Sequence, residues 1–435
     1  MGDTAAAGDA ASAAPPQVTR TDSAAITLSP TNPEYAYPRG HLGHLSEREE
    51  RALAEFKKVL EERGILKPGP PASHDDPLLL RFLRARRWVV EDAYTQLKET
   101  EDWRAATDIN TLYRTIDTEA YENCRRLYPQ WTGRRDRRGI PLYVFEVQPL
   151  DSKTIAAYDK ANTKNTTFSD AKSDGKTPAN LLRLFALYEN LTRFNMPFCT
   201  QLTDREHVDV PITMSTNIVD ISGVGLKQFW NLKAHMQAAS QLATAHYPET
   251  LDRIFVIGAP VFFSTVWGWV KRWFDPITVS KIFILSPAEV RPTLESFIEL
   301  RDIPKKYGGE LEFRFGDAPN PDPNWNGVVE WAPGHNTFPL GPLLWEDVES
   351  GDKIACFSLG KEGGRQRKEL VCTVPKTHNT TSDVAREKVL NGAAPEVADT
   401  VTSGEDLEKL KIADDIKASD ATTTAIPAAT PQAAA

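Results

Sequence analysis

Between Arg253 and Lys271 no residue carries a charge, and the run just reaches the roughly 17 residues that a membrane-spanning helix needs at minimum. Its internal pattern breaks it in two. Arg253–Ala259 is a β-branched apolar stretch stopped by Pro260, which predicts a buried strand. From Phe263 the period changes. At 100° per residue, Phe263, Val266, Trp267, Trp269, Val270, Trp273 and Phe274 share about 160° of arc. Ser264, Thr265, Gly268, Lys271 and Arg272 lie opposite. Asp275 and Pro276 end this helix, and Lys281–Leu285 resumes as a strand. Tryptophans on one face and cations on the other suit a helix lying in a membrane interface, although a helix packed on a core has the same period. Pro260 and the change of period argue against a transmembrane span. An amphipathic helix held between two core strands suggests a protein that meets membranes reversibly.

The chain has 435 residues, long enough for a large core, but its aromatic residues are confined to its middle. None precedes Tyr35 and none follows Phe357. The Ala/Thr/Pro-rich ends cannot bury enough apolar surface to offset chain entropy, so both are expected to be disordered. The formal net charge of −9 argues against a general nucleic-acid binder. A local basic cluster can still act within a Debye length. Cys124, Cys199, Cys356 and Cys372 lack metal-ligand spacing, no apolar leader follows Met1, and Ala6 replaces the hydroxyl residue of a myristoylation start. A cytosolic protein with reduced thiols is expected.

Helices dominate the first third. Ser46 and Glu49 form a capping box for a helix ending at Gly64, and Asp75–Trp88 and Val89–Arg104 follow. Beyond them the pattern alternates: strand Pro141–Val147, helix Ala179–Phe194, strand Thr213–Ile221, helix Leu226–Tyr247, then the uncharged run and a helix capped by Ser286 and Glu289. Such alternation predicts an α/β fold with a mostly parallel sheet. Asp352–Leu359 and Lys368–Val374 read as a terminal hairpin.

Three motifs suggest catalysis and fail on inspection. Cys199 and Arg205 have phosphatase-loop spacing without the glycines that would let backbone N–H groups surround phosphate. Gly223 and Gly225 precede a helix, but Gln228 occupies the third glycine position of a dinucleotide loop. Gly175-Lys-Thr177 lacks the upstream glycine of a P-loop. Neither a nucleophile triad nor a metal motif is present, so no catalytic residue, metal or cofactor is expected, and the chain reads as a non-enzyme.

An ordered set of short runs resembles the CRAL-TRIO lipid-binding family, specifically its fungal phosphatidylinositol/phosphatidylcholine transfer branch. They are LLLRFLRARRW (Leu78–Trp88), LYPQ (Leu127–Gln130), GIPLY (Gly139–Tyr143), NIVDISG (Asn217–Gly223), HYPE (His246–Glu249), DPITVSKIFIL (Asp275–Leu285) and IPKKYGGE (Ile303–Glu310). The resemblance implies a helical N-terminal lobe, then an α/β lobe whose mostly parallel sheet floors an apolar lipid pocket closed by a gating helix. By position that gate is Phe263–Phe274. The expected divisions are a tail at 1–44, the N-terminal lobe at 45–110, the lipid-binding domain at 111–315, an extension at 316–374 and a tail at 375–435. The segment between Asp151 and Pro178, longer than the pattern needs, has no assigned role.

The same resemblance places the phosphatidylinositol headgroup on Arg86, Glu249, Thr278 and Lys281. Cations there would pair with the phosphodiester, and the carboxylate and hydroxyl suit inositol hydroxyls. The second headgroup, expected to be choline, falls on Ser215, Tyr143 and Trp131, with Asn217 where the family has threonine and Thr132 where it has a second aromatic. The implied function is non-enzymatic exchange of phosphatidylinositol and a second lipid, phosphatidylcholine, by a monomer bound transiently to membranes, presenting phosphatidylinositol to lipid kinases. Its localisation would be cytoplasmic, peripheral on Golgi, endosomal or ER surfaces. A carrier of another hydrophobe (sterol, tocopherol-like lipid or haem) and a lipid-sensing regulatory module remain as alternatives.

Overall fold

The computed structural model describes residues 37–378 except 70, 152, 155–165, 274–275 and 349–350, so Phe274 and all of the two predicted tails but residues 37–44 and 375–378 lie outside the described residues. Five helices come first: α1 (Glu47–Glu62), α2 (Asp76–Ala85), α3 (Val90–Thr107), α4 (Ile109–Thr115) and α5 (Thr118–Arg125). The Ser46 N–H donates to Glu49 Oε2 at 2.8 Å, completing the predicted capping box of α1. Asp75 accepts from the Leu78 N–H at 3.0 Å and starts α2. That helix stops three residues before Trp88, because Arg87 and Trp88 take left-handed φ values of 51° and 66°. Phe56, Leu60, Leu79, Phe82, Leu83 and Leu97 form the core of α1, α2 and α3.

A five-stranded sheet follows in the order β1 (Gln130–Arg135), β2 (Pro141–Glu146), β3 (Ser215–Asp220), β4 (Leu251–Ile257), β5 (Ile282–Leu285). The pair β1–β2 is antiparallel and the other three are parallel. The parallel strands are those that the alternating pattern predicts. Connections are made by α6 (Ala179–Asn190), which continues through a π-helical turn (Leu191–Asn195) into α7 (Met196–Gln201), by α8 (Leu226–His246), and by α9 (Phe263–Val270) with a 3₁₀ turn at Lys271–Trp273 and α10 (Pro276–Ser280). Strand alternation then gives the sheet two different faces. Leu142, Val144, Ile218, Phe255 and Leu285 pack on Val290, Leu294 and Ile298 of α11 (Pro287–Phe297) and its exit. The opposite face of β2 and β3 carries Tyr143, Phe145, Ser215 and Asn217, a mixture too polar to pack as a dry core.

After α11 the chain builds a second sheet from β6 (Glu330–Trp331), β7 (Leu343–Asp347), β8 (Lys353–Ser358) and β11 (Glu369–Pro375), in the order β6-β11-β8-β7, with a short β9 (Lys361–Glu362) and β10 (Arg365–Gln366) hairpin. The two strands of the predicted hairpin are antiparallel neighbours, Cys372 opposite Cys356, inside a four-stranded sheet. Its Trp345, Val371 and Val374 meet Phe194, Phe198, Trp325 and Phe338 in one aromatic core.

Gly258, at the exit of β4 toward α9, has φ +68°, and a β-carbon there would sit 1.8 Å from Ser222 Oγ and 2.8 Å from its Cα. Gly258→Ala should therefore lower stability by at least about 1–2 kcal/mol, read as a lower urea midpoint at unchanged slope.

Candidate lipid-binding site

The polar-aromatic sheet face is roofed by α6 and α8, and between them lies a cavity of about 290 Å³. Leu184, Leu187, Tyr188 and Leu191 line one wall, and His235, Met236, Ala239 and Ala243 of α8 another. The small residues of α8 matter physically: alanine at 239 and 243 leaves the space that larger side chains would fill.

Three segments bring the expected phosphatidylinositol set to this cavity. Arg86 caps the C-terminus of α2 and is exposed. Glu249 follows α8 in a left-handed conformation with φ 56°. Thr278 lies on α10 and Lys281 immediately precedes β5. Lys281 Nζ donates to Glu249 Oε2 and to the Leu251 carbonyl, both at 2.9 Å. The pair is 15% and 11% exposed at the side chains, dry enough for its charges to interact strongly.

The second set separates. Ser215 Oγ donates to the Thr250 carbonyl at 3.2 Å and accepts from Asn217 Nδ2 at 3.0 Å, both on the cavity floor. Tyr143 stands opposite Asn217 in the parallel register and donates to Asn195 Oδ1 at 2.7 Å. Burial pushes the Tyr143 phenol well above its ordinary value, and the Tyr188 phenol up to about 12, so both stay protonated donors. Trp131 does not line the cavity. It is buried in the aromatic core of the second sheet, stacked on Trp325 at 5.8 Å, with its Nε1 donating to the Arg134 carbonyl. Its ring partners Phe194, Phe198, Trp325 and Phe338 come from more than sixty residues along the chain, which no local pattern around Trp131 could signal.

The amphipathic helix expected as the gate lies beside α8. Val266 is buried against Phe229 of α8, with Trp267 packed alongside, and Phe263 stacks on Trp267 at 6.0 Å. Trp269 meets Trp230 at 5.5 Å and remains 43% exposed. Val270 and Trp273 are described in backbone only. Among the residues from Phe263 to Lys271 whose side chains are described, none lines the cavity; Thr278 and Lys281 reach it from just beyond. Leu226, Trp230, Val261 and Ile284 are exposed as well, and Lys271 and Arg272 are exposed beside them in the chain. Among the described residues, no helix is long and apolar enough to cross a membrane.

Sequence reasoning missed Tyr128 and His235, which are hydrogen-bonded to each other in the cavity wall. The LYPQ run contained the signal for the first; the second is an isolated histidine on a helix face. The motifs set aside as catalytic have structural uses. Arg205 donates to the carbonyls of Thr200, Leu202, His207 and Val208, and burial pushes the Cys199 thiol up to about 12. Gln228 Nε2 donates to the carbonyls of Val147, Gln148 and Leu150, tying α8 to the exit of β2.

Comparison with known proteins adds to this geometry. A family described as the CRAL/TRIO domain matches residues 125–309, and one described as the CRAL/TRIO N-terminal domain matches residues 42–99, together more than half of the chain. The "SEC14 cytosolic factor" of Yarrowia lipolytica is 30% identical over 309 residues, 70% of this chain and 57% of that protein. Its namesake in Eremothecium gossypii is 29% identical over 63% of this chain and 80% of that protein. The "Phosphatidylinositol/phosphatidylcholine transfer protein SFH7" of Arabidopsis thaliana is 29% identical over 58% of this chain, which spans 42% of its length.

Proposed function

The chain belongs to the CRAL/TRIO family, and from that premise we propose that it is a non-enzymatic carrier that holds a phospholipid in the cavity. It exchanges phosphatidylinositol for a second lipid, phosphatidylcholine in the first instance, at membrane surfaces, and presents phosphatidylinositol to lipid kinases. The observation that carries this reading is the convergence of Arg86, Glu249, Thr278 and Lys281, from three separate segments, on an apolar-walled cavity. Two cations, a carboxylate and a hydroxyl are the donor and acceptor set that a phosphodiester carrying a polyol requires. Names of relatives from yeasts and a plant support lipid transfer without identifying this chain's own ligands.

The physical need for an enclosed route is large. Some thirty acyl methylenes at about 0.8 kcal/mol each would cost on the order of 25 kcal/mol to expose to water. Moving them from bilayer to protein nearly cancels that cost, provided water never intervenes. In this proposal the exposed Trp269, Trp230, Val261 and Ile284 seat the protein in the interface, and Lys271 and Arg272 meet anionic headgroups. For a choline headgroup, the Phe and Tyr side chains lining the cavity are those of Tyr128, Tyr143, Phe145, Tyr188 and Tyr247 rather than Trp131.

The test is transfer of labelled phosphatidylinositol and phosphatidylcholine between vesicles by the full chain. Both should move, and replacing Trp230 and Trp269 together by alanine should slow transfer about tenfold or more, since an interfacial aromatic contributes on the order of 1 kcal/mol. Unchanged transfer would refute the docking role of these rings. Binding of lipid with no transfer by the parent protein would favour the sensing module, and co-extraction of a sterol or haem instead of phospholipid would favour another cargo.

A further inference from the structure

Outside the lipid cavity, two segments remote in sequence bring His44, His207 and Asp209 together, with one ligand atom from each within 4.8 Å of the others. His44 Nε2 lies 3.1 Å from Asp209 Oδ2, and the two imidazoles meet edge to face at 5.5 Å. We propose that these three side chains bind a divalent transition-metal ion, zinc in the first instance, which clips the segment leading into α1 onto the loop between α7 and β3.

The donor chemistry suits that ion: two imidazole nitrogens and one carboxylate are a set that zinc accepts, with the fourth position left to water. Zinc–ligand distances near 2.0–2.2 Å put tetrahedral ligands about 3.4 Å apart. The His44–Asp209 pair is already close to that spacing, and side-chain rotation can close the rest. All three side chains are partly exposed, at 32%, 31% and 63%, so an ion has a way in.

The backbone is arranged for the encounter on both sides. Arg205 holds the loop from within through four carbonyls, one of them that of His207. The Val210 N–H donates to the His207 carbonyl at 3.0 Å, closing a turn that brings residues 207 and 209 together. His207 has φ 54°, a conformation that a β-carbon disfavours and that an ion pair between His44 and Asp209 alone would not require. On the other segment Gly43 has φ +82°, and a β-carbon there would sit 3.2 Å from Asp209 Oδ2. His41 is buried with Nδ1 beside the carbonyls of Pro38 and Arg39, so His44 is the histidine that this segment offers.

The experiment uses untagged, chelator-treated full chain. Cobalt(II) should bind at one equivalent with the visible absorption of a tetrahedral site, zinc should displace it, and zinc should raise the thermal unfolding midpoint in a saturable way. His207→Asn, which tolerates the left-handed backbone, and Asp209→Asn should each weaken binding at least tenfold while keeping the metal-free midpoint of the parent. His44→Gln should do the same from the other segment. No saturable binding by the parent, or equal binding by all three variants, would overturn the site and leave His44–Asp209 as an ordinary ion pair.

Discussion

Replacing Glu189 by alanine is expected to destabilise the folded protein by about 3–5 kcal/mol, the cost of leaving buried charge without its partner. The Glu189 side chain is 1% exposed. It accepts from Arg104 through both oxygens at 2.7 and 3.0 Å, from Arg193 Nε at 2.6 Å and from the Tyr247 hydroxyl. These residues come from α3, α6, the π-helical turn and the end of α8, so one carboxylate joins the N-terminal helices to the elements that roof the cavity. Burial alone would raise its pKa, but Arg104 and Arg193, with their hydrogen bonds, hold it far below the usual carboxylate range. The folded pKa is thus below the unfolded value of about 4.3. The stabilisation is fully present above that pH and is lost as pH falls toward the depressed folded value. Urea titration at neutral pH checks the magnitude. A loss under 1 kcal/mol would mean that desolvation cancels the network's attraction, and the stated role of Glu189 would then be abandoned.

Lys281→Gln should reduce phosphatidylinositol transfer by roughly 10–150-fold, corresponding to the 1.5–3 kcal/mol of one charge-assisted hydrogen bond. Phosphatidylcholine transfer should change by less than about threefold on the same scale. Glutamine retains a donor toward Glu249 and the Leu251 carbonyl, the two partners of Lys281 Nζ, so the variant removes charge more than packing. Paired vesicle assays with each labelled lipid read the result. Equal loss for both lipids would reject the headgroup assignment, because a residue serving only inositol lipid cannot depress both.

Much of the architecture can be read along the chain because it is encoded locally. The capping pairs Ser46/Glu49 and Ser286/Glu289 form as expected, and the β-branched run after Arg253 is a strand beginning at Leu251. The four headgroup candidates were found by their place in ordered runs, and the fold does gather them at one cavity. Other features of the same runs serve packing: in IPKKYGGE, Lys306 Nζ pairs with Glu146 and Asp220, each at 2.8 Å, and fastens the chain leaving α11 to the sheet.

What stayed hidden depends on partners far away in sequence. Every residue of β1 is buried although it contains Arg134 and Arg135, and no strand is expected of such a polar run. Asp302 and Asp204, at 3.1 and 2.9 Å, make that burial tolerable. Trp345 and the strand around it are apolar enough to be core, but their destination on Phe194 and Phe198 is set by close packing in three dimensions.

Local periodicity and end signals thus dictated which segments are helix or strand, and hence a parallel sheet layered with helices, since backbone hydrogen bonds and alternating apolar positions are satisfied within a few residues. The fold as a whole decided where the tryptophans went: Trp131 into a second core, and Trp269 of the amphipathic helix against Trp230 of α8. Apolar surface is buried by whichever surface complements it, and that complement is assembled from distant parts of the chain.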